Sequence, residues 1–284
     1  MSRVAVVGGT SALARRLIPA LKGGHQVTTL GLRDCDIPCD LLDSVEKLRF
    51  PANTEAVVHL AAAFGGPTDE ENLRAVEINA VGTLKVCVAA KLARVAHVVL
   101  ISSLSAALSE ASPYYGIYSI TKRQAEELAS DYCRRNSLLL TVLRPSQLYA
   151  EDEAFRRHQP LVYHMADRAE QGLNIQIYGN HDALRNYLHA DDMANVVREV
   201  LEQGCGGIHS CTFPKDFALS DVAAAAQGAF GRGGNVAFQP DKPDIPDNVF
   251  GNNTELYERI GFIPSIDIWE GMRRLARHRR AKTQ

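Results

Sequence analysis

Short runs of β-branched and aliphatic residues alternate with amphipathic stretches through the first half of the chain, and this rhythm constrains the fold most. Parallel strands need a long crossover connection, usually a helix, so the alternation predicts a doubly wound α/β fold with a parallel sheet and helices on both faces. The strand candidates are Arg3–Val7, Gln26–Leu30, Ala56–Leu60, His97–Ser102 and Leu138–Leu143. The helical stretches between them are Ala12–Lys22, Glu70–Ala93 and Ser119–Asn136.

After about residue 150 the rhythm loosens, and proline and glycine become denser. The helices predicted there are Leu161–Gln171, Asp191–Gln203, Leu219–Phe230 and Ile268–Arg279. We therefore expect residues 1–150 to form the sheet domain, completed by later segments around residues 175–212. Residues 151–284 are expected to form mainly a smaller lobe.

The 284-residue chain is 46% apolar and has a formal net charge of −2. This balance suits a globular protein with an ample core and gives no electrostatic reason to expect nucleic acid or an acidic membrane as a partner. The basic run Arg273–Arg280 is interpreted as a solvated helix face and tail, with nucleic-acid binding as the less favoured alternative.

No stretch is apolar and long enough to span a bilayer, and the N-terminus enters a strand-like run without a signal-peptide pattern. A cytoplasmic location is expected on these grounds. The six cysteines are scattered, Cys35 and Cys39 being the only close pair, and no His or Cys cluster completes a metal-ligand set. We expect reduced structural thiols and no metal.

The segment Gly8-Gly9-Thr10-Ser11-Ala12-Leu13 follows the first strand and has the pattern of a tight turn and a helix start. Glycine lets the backbone turn sharply and approach a pyrophosphate, whose charge is stabilised by a helix N-terminus. An ordinary strand–helix turn is the alternative, but the position at the first strand–helix junction favours phosphate binding. Residues 1–150 are thus expected to be a Rossmann-type dinucleotide-binding domain.

The end of the second strand bears on the choice of dinucleotide. An acidic residue there accepts the 2′-hydroxyl of NAD, whereas an arginine suits the 2′-phosphate of NADP. Gly31 lies where the acid would be, and Arg33 follows it. The sequence favours NADP and leaves NAD open; the alternative for Arg33 is a solvated loop residue.

Tyr118 and Lys122 lie one helical turn apart, which places both side chains on one helix face. A nearby ammonium favours tyrosinate, so it is expected to lower the pKa of the phenol toward working pH. The phenol could then exchange a proton with a substrate carbinol while hydride moves to or from nicotinamide. This spacing also arises by chance, so the order of the surrounding motifs carries the argument.

That order resembles the extended short-chain dehydrogenase/reductase family, the group of nucleotide-sugar epimerases, dehydratases and ketoreductases. Besides the Tyr118–Lys122 motif, the matching segments are Cys39-Asp40-Leu41-Leu42-Asp43, His59-Leu60-Ala61-Ala62, Asn79-Ala80-Val81-Gly82-Thr83, Ile101-Ser102-Ser103, Leu143-Arg144-Pro145-Ser146-Gln147-Leu148-Tyr149 and Arg185-Asn186-Tyr187-Leu188-His189-Ala190-Asp191-Asp192. The family's G-x-x-G-x-x-G turn keeps only Gly8, with Ser11 and Ala14 in the other positions. The segment Lys242–Pro246 departs from the family's R-P-G-D-[IV]-P, since lysine replaces arginine and the glycine is missing. The resemblance covers nearly the whole chain.

The resemblance implies roles for individual residues. Tyr118 would be the acid/base, Lys122 its electrostatic support and Ser103 a hydroxyl donor to the reacting oxygen. Cofactor contacts are expected from Gly8, Thr10, Ser11, Ala12, Leu13, Arg33, Asp40, Leu41, Leu60, Ala61, Ala62, Asn79, Ser102, Tyr118, Lys122 and Pro145. Substrate contacts are expected from Ser103, Gln147, Arg185 and Lys242. His189 and Asp192 are expected to hold the smaller lobe together.

Three functions compete on this basis. The first is an NADP-dependent ketoreductase acting on a nucleotide sugar or on another carbonyl compound, and the second is an epimerase that retains NAD. The third is a non-catalytic NADP-sensing or scaffold protein, which would not need Ser103, Tyr118 and Lys122 intact. A 4,6-dehydratase is disfavoured, because Leu104-Ser105 follow Ser103 where those enzymes carry Asp-Glu.

The resemblance also implies partners. The substrate would be a small molecule, a nucleotide sugar bound between the lobes, whose arginine contact (Arg185) can pair bidentately with a diphosphate. Family members often form homodimers through two helices, which correspond here to the Glu70–Ala93 and Ser119–Asn136 stretches. The sugar, the nucleotide and the stereochemistry stay open.

Overall fold

A computed structural model describes residues 1–251 and 254–283. The strands are β1 (Ser2–Val7), β2 (His25–Gly31), β3 (Ile37–Pro38), β4 (Ala56–His59), β5 (His97–Ile101), β6 (Leu139–Pro145), β7 (Gln147–Tyr149), β8 (Ile175–Tyr178), β9 (Leu184–Arg185), β10 (Tyr187–His189), β11 (Gly207–Cys211), β12 (Phe217–Ala218) and β13 (Val236–Gln239). The α-helices are α1 (Ala14–Lys22), α2 (Asp69–Val76), α3 (Thr83–Leu92), α4 (Ile117–Arg135), α5 (Pro160–Glu170), α6 (Ala190–Gln203), α7 (Leu219–Phe230), α8 (Glu255–Ile260) and α9 (Ile268–Thr283).

A seven-stranded sheet of order β11-β6-β5-β4-β1-β2-β3 dominates the fold. The ladders that join β1 to β2 and β4, β2 to β3, β4 to β5, and β5 to β6 are parallel. The predicted doubly wound α/β fold is thereby confirmed. The strand order reverses at β1, which has β2 on one side and β4 on the other. In open α/β sheets, ligands bind beyond the carboxyl ends of the strands at such a reversal.

The central strands are mostly apolar and buried, as expected for a parallel sheet that is covered on both faces. Each residue from Val4 to Val7 is at most 2% exposed, and β5 is buried from His97 to Ile101. Burying one aliphatic side chain of this size contributes about 1.5–3 kcal/mol relative to leaving it exposed. The rigid core under β1, β4 and β5 therefore fixes the positions of the loops that follow these strands.

The described residues divide into two compact units. The first unit comprises Met1–Pro145, Ala194–Ser210 and Leu256–Phe262, and it includes strands β1 to β6. The second comprises Ser146–Met193, Cys211–Glu255 and Ile263–Gln284. In the second unit, three two-stranded sheets (β10-β7, β12-β9 and β13-β8) accompany helices α5, α7 and α9.

The stretch Glu70–Ala93, predicted as one helix, is interrupted. Helix α2 begins at a capping box in which the Thr68 hydroxyl accepts from Glu71 N at 3.2 Å and the Glu71 carboxylate accepts from Thr68 N at 3.1 Å. A π-helical turn, Glu77–Gly82, then separates α2 from α3. This wider turn places Asn79, which is 1% exposed, inside the protein. Such turns are rare and often mark functional positions.

In the part of the chain that the structure describes, every helix is too short or too polar to cross a membrane.

Candidate active site

The turn after β1 contains two glycines at which a Cβ atom would clash with its surroundings. Gly8 has φ +86°, and a Cβ atom on it would lie 2.7 Å from Ala61 N. A Cβ atom on Gly9 would lie 2.7 Å from Thr29 Cβ. The close packing at Gly8 brings the phosphate-loop motif and the His59–Ala62 motif together at the carboxyl ends of β1 and β4. Gly9 was not among the predicted site residues.

The two residues that replace the family's later glycines have definite structural roles. Ser11 N donates to Gly8 O at 3.0 Å, and the Ser11 hydroxyl accepts from Ala14 N at 3.3 Å. Ala14 is fully buried. Among the described residues, no group accepts a hydrogen bond from the amides of Ala12 and Leu13, which lie just before α1. A turn of this kind fits a dinucleotide pyrophosphate, because the free backbone amides at a helix N-terminus bind anions.

The end of β2 differs from an NAD-type site in its packing as well as in its sequence. A Cβ atom on Gly31 would lie 2.9 Å from Cys35 Sγ, so this sulfur occupies the space that an acidic side chain would need. The Asp36 carboxylate accepts from the Thr29 amide and hydroxyl, each at 2.8 Å, which folds the connecting loop back on β2. Arg33 is an exposed residue of that loop.

Asp40 and Asn79 are engaged within the protein. The Asp40 carboxylate accepts from Leu42 N at 2.9 Å. Asn79 Oδ1 accepts from Ala63 N at 2.8 Å, and Asn79 Nδ2 donates to Ala63 O at 2.6 Å and to Thr121 Oγ1 at 3.0 Å. Asn79 therefore ties the segment after β4 to helix α4. Direct contacts of Asp40 and Asn79 with a cofactor stay predictions.

The three predicted catalytic residues lie together in the first unit. Ser103 follows β5 and accepts from Ser105 N at 3.1 Å, which begins a short helical turn. Tyr118 and Lys122 lie on the first turns of α4, and Lys122 Nζ donates to Ile101 O at 2.7 Å. The Ser103 hydroxyl is close enough to the Tyr118 phenol to lower its pKa by hydrogen bonding. The geometry suits proton transfer to an oxygen held between Ser103 and Tyr118.

The expectation that Lys122 lowers the pKa of Tyr118 is wrong for this structure. Burial raises the pKa of Tyr118 to about 12, against the smaller opposing effect of Ser103. Burial also lowers the pKa of Lys122 to about 8, and the ammonium is directed at the Ile101 carbonyl. Desolvation thus outweighs proximity. The phenol stays protonated at neutral pH, which is the form that donates a proton.

The ion pair between Glu126 and Arg144, next to Lys122, was not predicted from the sequence. Glu126 lies one turn beyond Lys122 on α4, is 3% exposed, and raises the pKa of Lys122. Its carboxylate accepts from Arg144 Nε at 2.9 and 3.1 Å and from the Ser102 hydroxyl. These contacts join α4 to the ends of β5 and β6. The sequence signal was the spacing of Tyr118, Lys122 and Glu126, each four residues after the previous one.

His59 has a structural place in the same region. Its Nε2 atom lies 3.1 Å from the Thr83 hydroxyl, which itself donates to Asn79 O at 2.6 Å. Burial, with a smaller contribution from Lys122, lowers the pKa of His59 to about 3, so the ring is neutral. His59 thus links the end of β4 to α3 without carrying charge.

The predicted substrate contacts Gln147, Arg185 and Lys242 belong to the second unit. Gln147 Nε2 donates to Gln159 Oε1 at 2.9 Å, while Gln147 Oε1 and the hydroxyl of Ser146 are buried without a hydrogen-bond partner among the described residues. Buried polar atoms rarely stay unpaired, so these two atoms point to a missing partner. Ser146 was not predicted, although it directly precedes Gln147.

Arg185 is 4% exposed and lies beside the end of the Lys242–Pro246 segment. Arg185 Nη1 donates to Leu184 O at 2.9 Å and to Pro246 O at 2.7 Å. Asn248 N donates to Leu184 O at 3.0 Å, which holds this segment against β9. Lys242 itself is exposed in the turn after β13.

The residues expected to hold the smaller lobe together make buried polar contacts within the second unit. Asp192 Oδ2 accepts from Ser265 N at 2.9 Å and from Ile266 N at 2.8 Å. His189 is fully buried, and its Nε2 atom lies 3.1 Å from Glu151 Oε2. The side chains of His189, Glu151 and Asp191 lie close enough together to be candidate metal ligands. However, His189 Nδ1 accepts from Asp191 N at 3.2 Å and Arg274 pairs with Asp191 at 3.1 Å, so an ion network explains the group.

Known proteins resemble this chain in sequence and in fold. The profile of the NAD dependent epimerase/dehydratase family matches residues 4–211. A trifunctional UDP-glucose 4,6-dehydratase/UDP-4-keto-6-deoxy-D-glucose 3,5-epimerase/UDP-4-keto-L-rhamnose reductase of Arabidopsis thaliana is 25% identical over 160 residues, which is 55% of this chain. That match spans only 23% of the plant protein.

Two solved structures illustrate the likeness of the fold. The UDP-N-acetylglucosamine 4-epimerase of Bacillus cereus has a TM-score of 0.80 at 21% identity, covering 99% of this chain and 97% of that one. The enzyme WbmF of Bordetella bronchiseptica, in complex with NAD+ and UDP, has a TM-score of 0.81 at 19% identity, covering 99% and 93%. The family match extends over most of the chain, so the protein belongs to the NAD-dependent epimerase/dehydratase family, among the extended short-chain dehydrogenases/reductases.

Proposed function

We propose that this protein is an NADPH-dependent ketoreductase that acts on a nucleotide-activated keto sugar. The observation that carries the proposal is the grouping of three side chains at the carboxyl edge of the sheet. The Ser103 hydroxyl hydrogen-bonds to the Tyr118 phenol, and Lys122, one turn further along the same helix, donates to Ile101 O at 2.7 Å. Reduction of a carbonyl requires a proton donor at this place, and a phenol that is hydrogen-bonded to a serine hydroxyl can act as one.

The cofactor, when bound, supplies hydride to the carbonyl carbon. Ser103 donates a hydrogen bond that holds the carbonyl oxygen, and Tyr118 Oη gives its proton to that oxygen as negative charge develops there. Lys122, whose ammonium donates to Ile101 O at 2.7 Å, would hold the end of β5 beside the phenol. Gly8, Ala12 and Leu13 would hold the pyrophosphate, and Arg33 would meet the 2′-phosphate.

An epimerase is the second candidate, favoured by the likeness of the fold to a 4-epimerase. It would use the same three residues, with Tyr118 first removing and then returning the proton. It would also retain its cofactor, since one oxidation and one reduction cancel. Position 31 is a glycine and not the acidic residue that would accept the 2′-hydroxyl of NAD. NADP is therefore the favoured cofactor, which is the cofactor of the proposed reductase and not of an epimerase that retains NAD.

The first prediction concerns the acid. Tyr118→Phe keeps the ring but removes the proton donor, so turnover should fall by roughly 10²–10⁴-fold with little change in cofactor affinity. Steady-state rates with a keto-sugar nucleotide and cofactor titrations would measure the two effects. Tyr132→Phe, on the same helix, is the matched control and should retain activity. Full activity of Tyr118→Phe would contradict the assignment.

The second prediction concerns the cofactor. Arg33→Ala should weaken NADPH binding selectively, because only NADPH carries the 2′-phosphate. Gly31→Asp should shift the preference toward NADH, and it should do so more cleanly with Cys35→Ala, which removes the sulfur that lies 2.9 Å from the new Cβ atom. Fluorescence titration with both cofactors measures the preference. Tighter binding of NADH by the wild type would overturn the proposal and weaken the reductase assignment.

The third prediction concerns the substrate. The UDP bound in the WbmF structure supports a nucleoside diphosphate as the recognised group. Arg185, which is 4% exposed, would make a charge-assisted contact with it. Such a contact contributes about 1.5–3 kcal/mol, so Arg185→Ala should weaken binding about tenfold to a hundredfold. Arg232→Ala, at an exposed position of the same unit, is the control and should bind normally.

Thermal unfolding provides the measurement for this third prediction. UDP, GDP and dTDP should be compared in the presence of NADPH, because a ligand that binds only the folded state raises the melting temperature. At least one of them should do so for the wild type and less for Arg185→Ala. If none does at millimolar concentration, the substrate is not a sugar nucleotide, and a simpler keto or hydroxy compound becomes the better candidate.

The fourth prediction concerns a second copy of the chain. We propose a homodimer through α2, the π-helical turn Glu77–Gly82, α3 and α4. On these elements Leu73, Val81, Leu92 and Leu128 are 65%, 44%, 64% and 37% exposed, respectively. Leu73→Glu with Leu92→Glu should convert the dimer to a monomer in sedimentation experiments, because charge cannot be buried in an apolar contact. Leu32→Glu, 60% exposed outside these helices, should leave the dimer intact. A monomeric wild type would contradict the proposal.

A further inference from the structure

Phe64 lies directly against the Tyr118 ring. The two ring centroids are 4.5 Å apart, and the ring planes differ by 16°, which is a stacked arrangement. Phe64 belongs to the loop between β4 and α2, and the residue is 47% exposed to solvent. Single exposed aromatic residues are common and need no explanation, but a ring stacked on the proton donor is different.

The loop that carries Phe64 is fixed on both sides of it. Before it, Ala63 exchanges two hydrogen bonds with the buried Asn79, at 2.8 and 2.6 Å. After it, Gly65 has φ +74°, and a Cβ atom there would lie 2.4 Å from Ile117 Cγ2, at the start of α4. Gly66 N donates to Asn72 Oδ1 at 3.3 Å. The stacked position therefore follows from the backbone of the loop.

Stacking has two consequences for the phenol. It holds the plane of the Tyr118 ring, since offset ring pairs contribute attraction beyond the area they bury. It also keeps water from one face of the ring, in a site where burial is the largest cause of the raised pKa of Tyr118. Both effects act through Tyr118, because Phe64 has no group that can exchange a proton.

We propose that Phe64 is a positioning residue for Tyr118, which fixes the plane of the phenol and shields it from water so that the donor form persists. The inference rests on the proposed role of Tyr118 as the acid. It assigns a function to the loop Phe64-Gly65-Gly66, which lies just beyond the His59–Ala62 motif.

The test is the ionisation of Tyr118 in the purified protein, followed by NMR of tyrosine labelled with ¹³C at Cζ and assigned with Tyr118→Phe. Near pH 10, the ordinary tyrosine pKa, Tyr118 of the wild type should be almost entirely protonated. In Phe64→Ala, water reaches the ring and its pKa should fall by about one unit. The ionised fraction of Tyr118 at that pH should therefore rise about tenfold.

Three variants keep the result interpretable. Phe64→Tyr retains a stacked ring and should behave as the wild type. Phe64→Leu covers the ring without stacking and serves if Phe64→Ala does not fold; it should raise the ionised fraction by a smaller factor. Phe238→Ala removes an aromatic ring that is 38% exposed on β13 and should leave Tyr118 unchanged. An unchanged ionisation of Tyr118 in folded Phe64→Ala or Phe64→Leu would overturn the inference.

The activity profile is a second readout. Since the protonated phenol is the donor, kcat is lost as pH rises through the pKa of Tyr118. The alkaline limb of kcat for Phe64→Ala should therefore move to lower pH, whereas KM for the substrate should change little. If Tyr118→Phe retains full activity, the proposed function fails, while the NMR titration still tests the contact between Phe64 and Tyr118.

Discussion

A buried ammonium orders the active side of this protein. Lys122 Nζ lies in the interior and donates to Ile101 O at 2.7 Å, at the last residue of β5. Withdrawing a charge from water costs several kcal/mol unless hydrogen bonds and an opposite charge compensate it. Glu126 supplies that charge from the next turn of the same helix, and Arg144 and Ser102 in turn satisfy Glu126. The ends of β5 and β6 are thereby tied to α4.

The same arrangement determines the chemistry that the site favours. With Lys122 engaged by Ile101, burial dominates the Tyr118 phenol and keeps it protonated. The phenol is then in the form that donates a proton, which is the form that the proposed reduction needs. Stability linked to Tyr118 has the corresponding sign. Folding raises the pKa of Tyr118 from the ordinary tyrosine value of about 10 to about 12, so the free energy of unfolding falls as the pH rises above about 10.

The sequence alone was sufficient for the parts of the site that depend on local pattern. The strand–helix rhythm predicted the parallel sheet, and the one-turn spacing of Tyr118 and Lys122 predicted a shared helix face. Asn79, Glu126 and Phe64 are different, because their roles arise from contacts with Ala63 and Thr121, with Ser102 and Arg144, and with Tyr118, all distant along the chain. The pKa of Tyr118 was mispredicted for a related reason: spacing gives proximity, but desolvation and the direction of an ammonium depend on the whole fold.

We propose that the first unit binds NADPH on the turn around Gly8 and presents it to Tyr118. The most direct test is to incubate the protein with equal amounts of NADPH and NADH, remove free nucleotide, denature the protein and quantify what it releases. The account predicts that NADPH predominates, and that Gly8→Val, whose Cβ atom would lie 2.7 Å from Ala61 N, releases almost none. Release of neither nucleotide by the wild type, or equal retention by Gly8→Val, would contradict it.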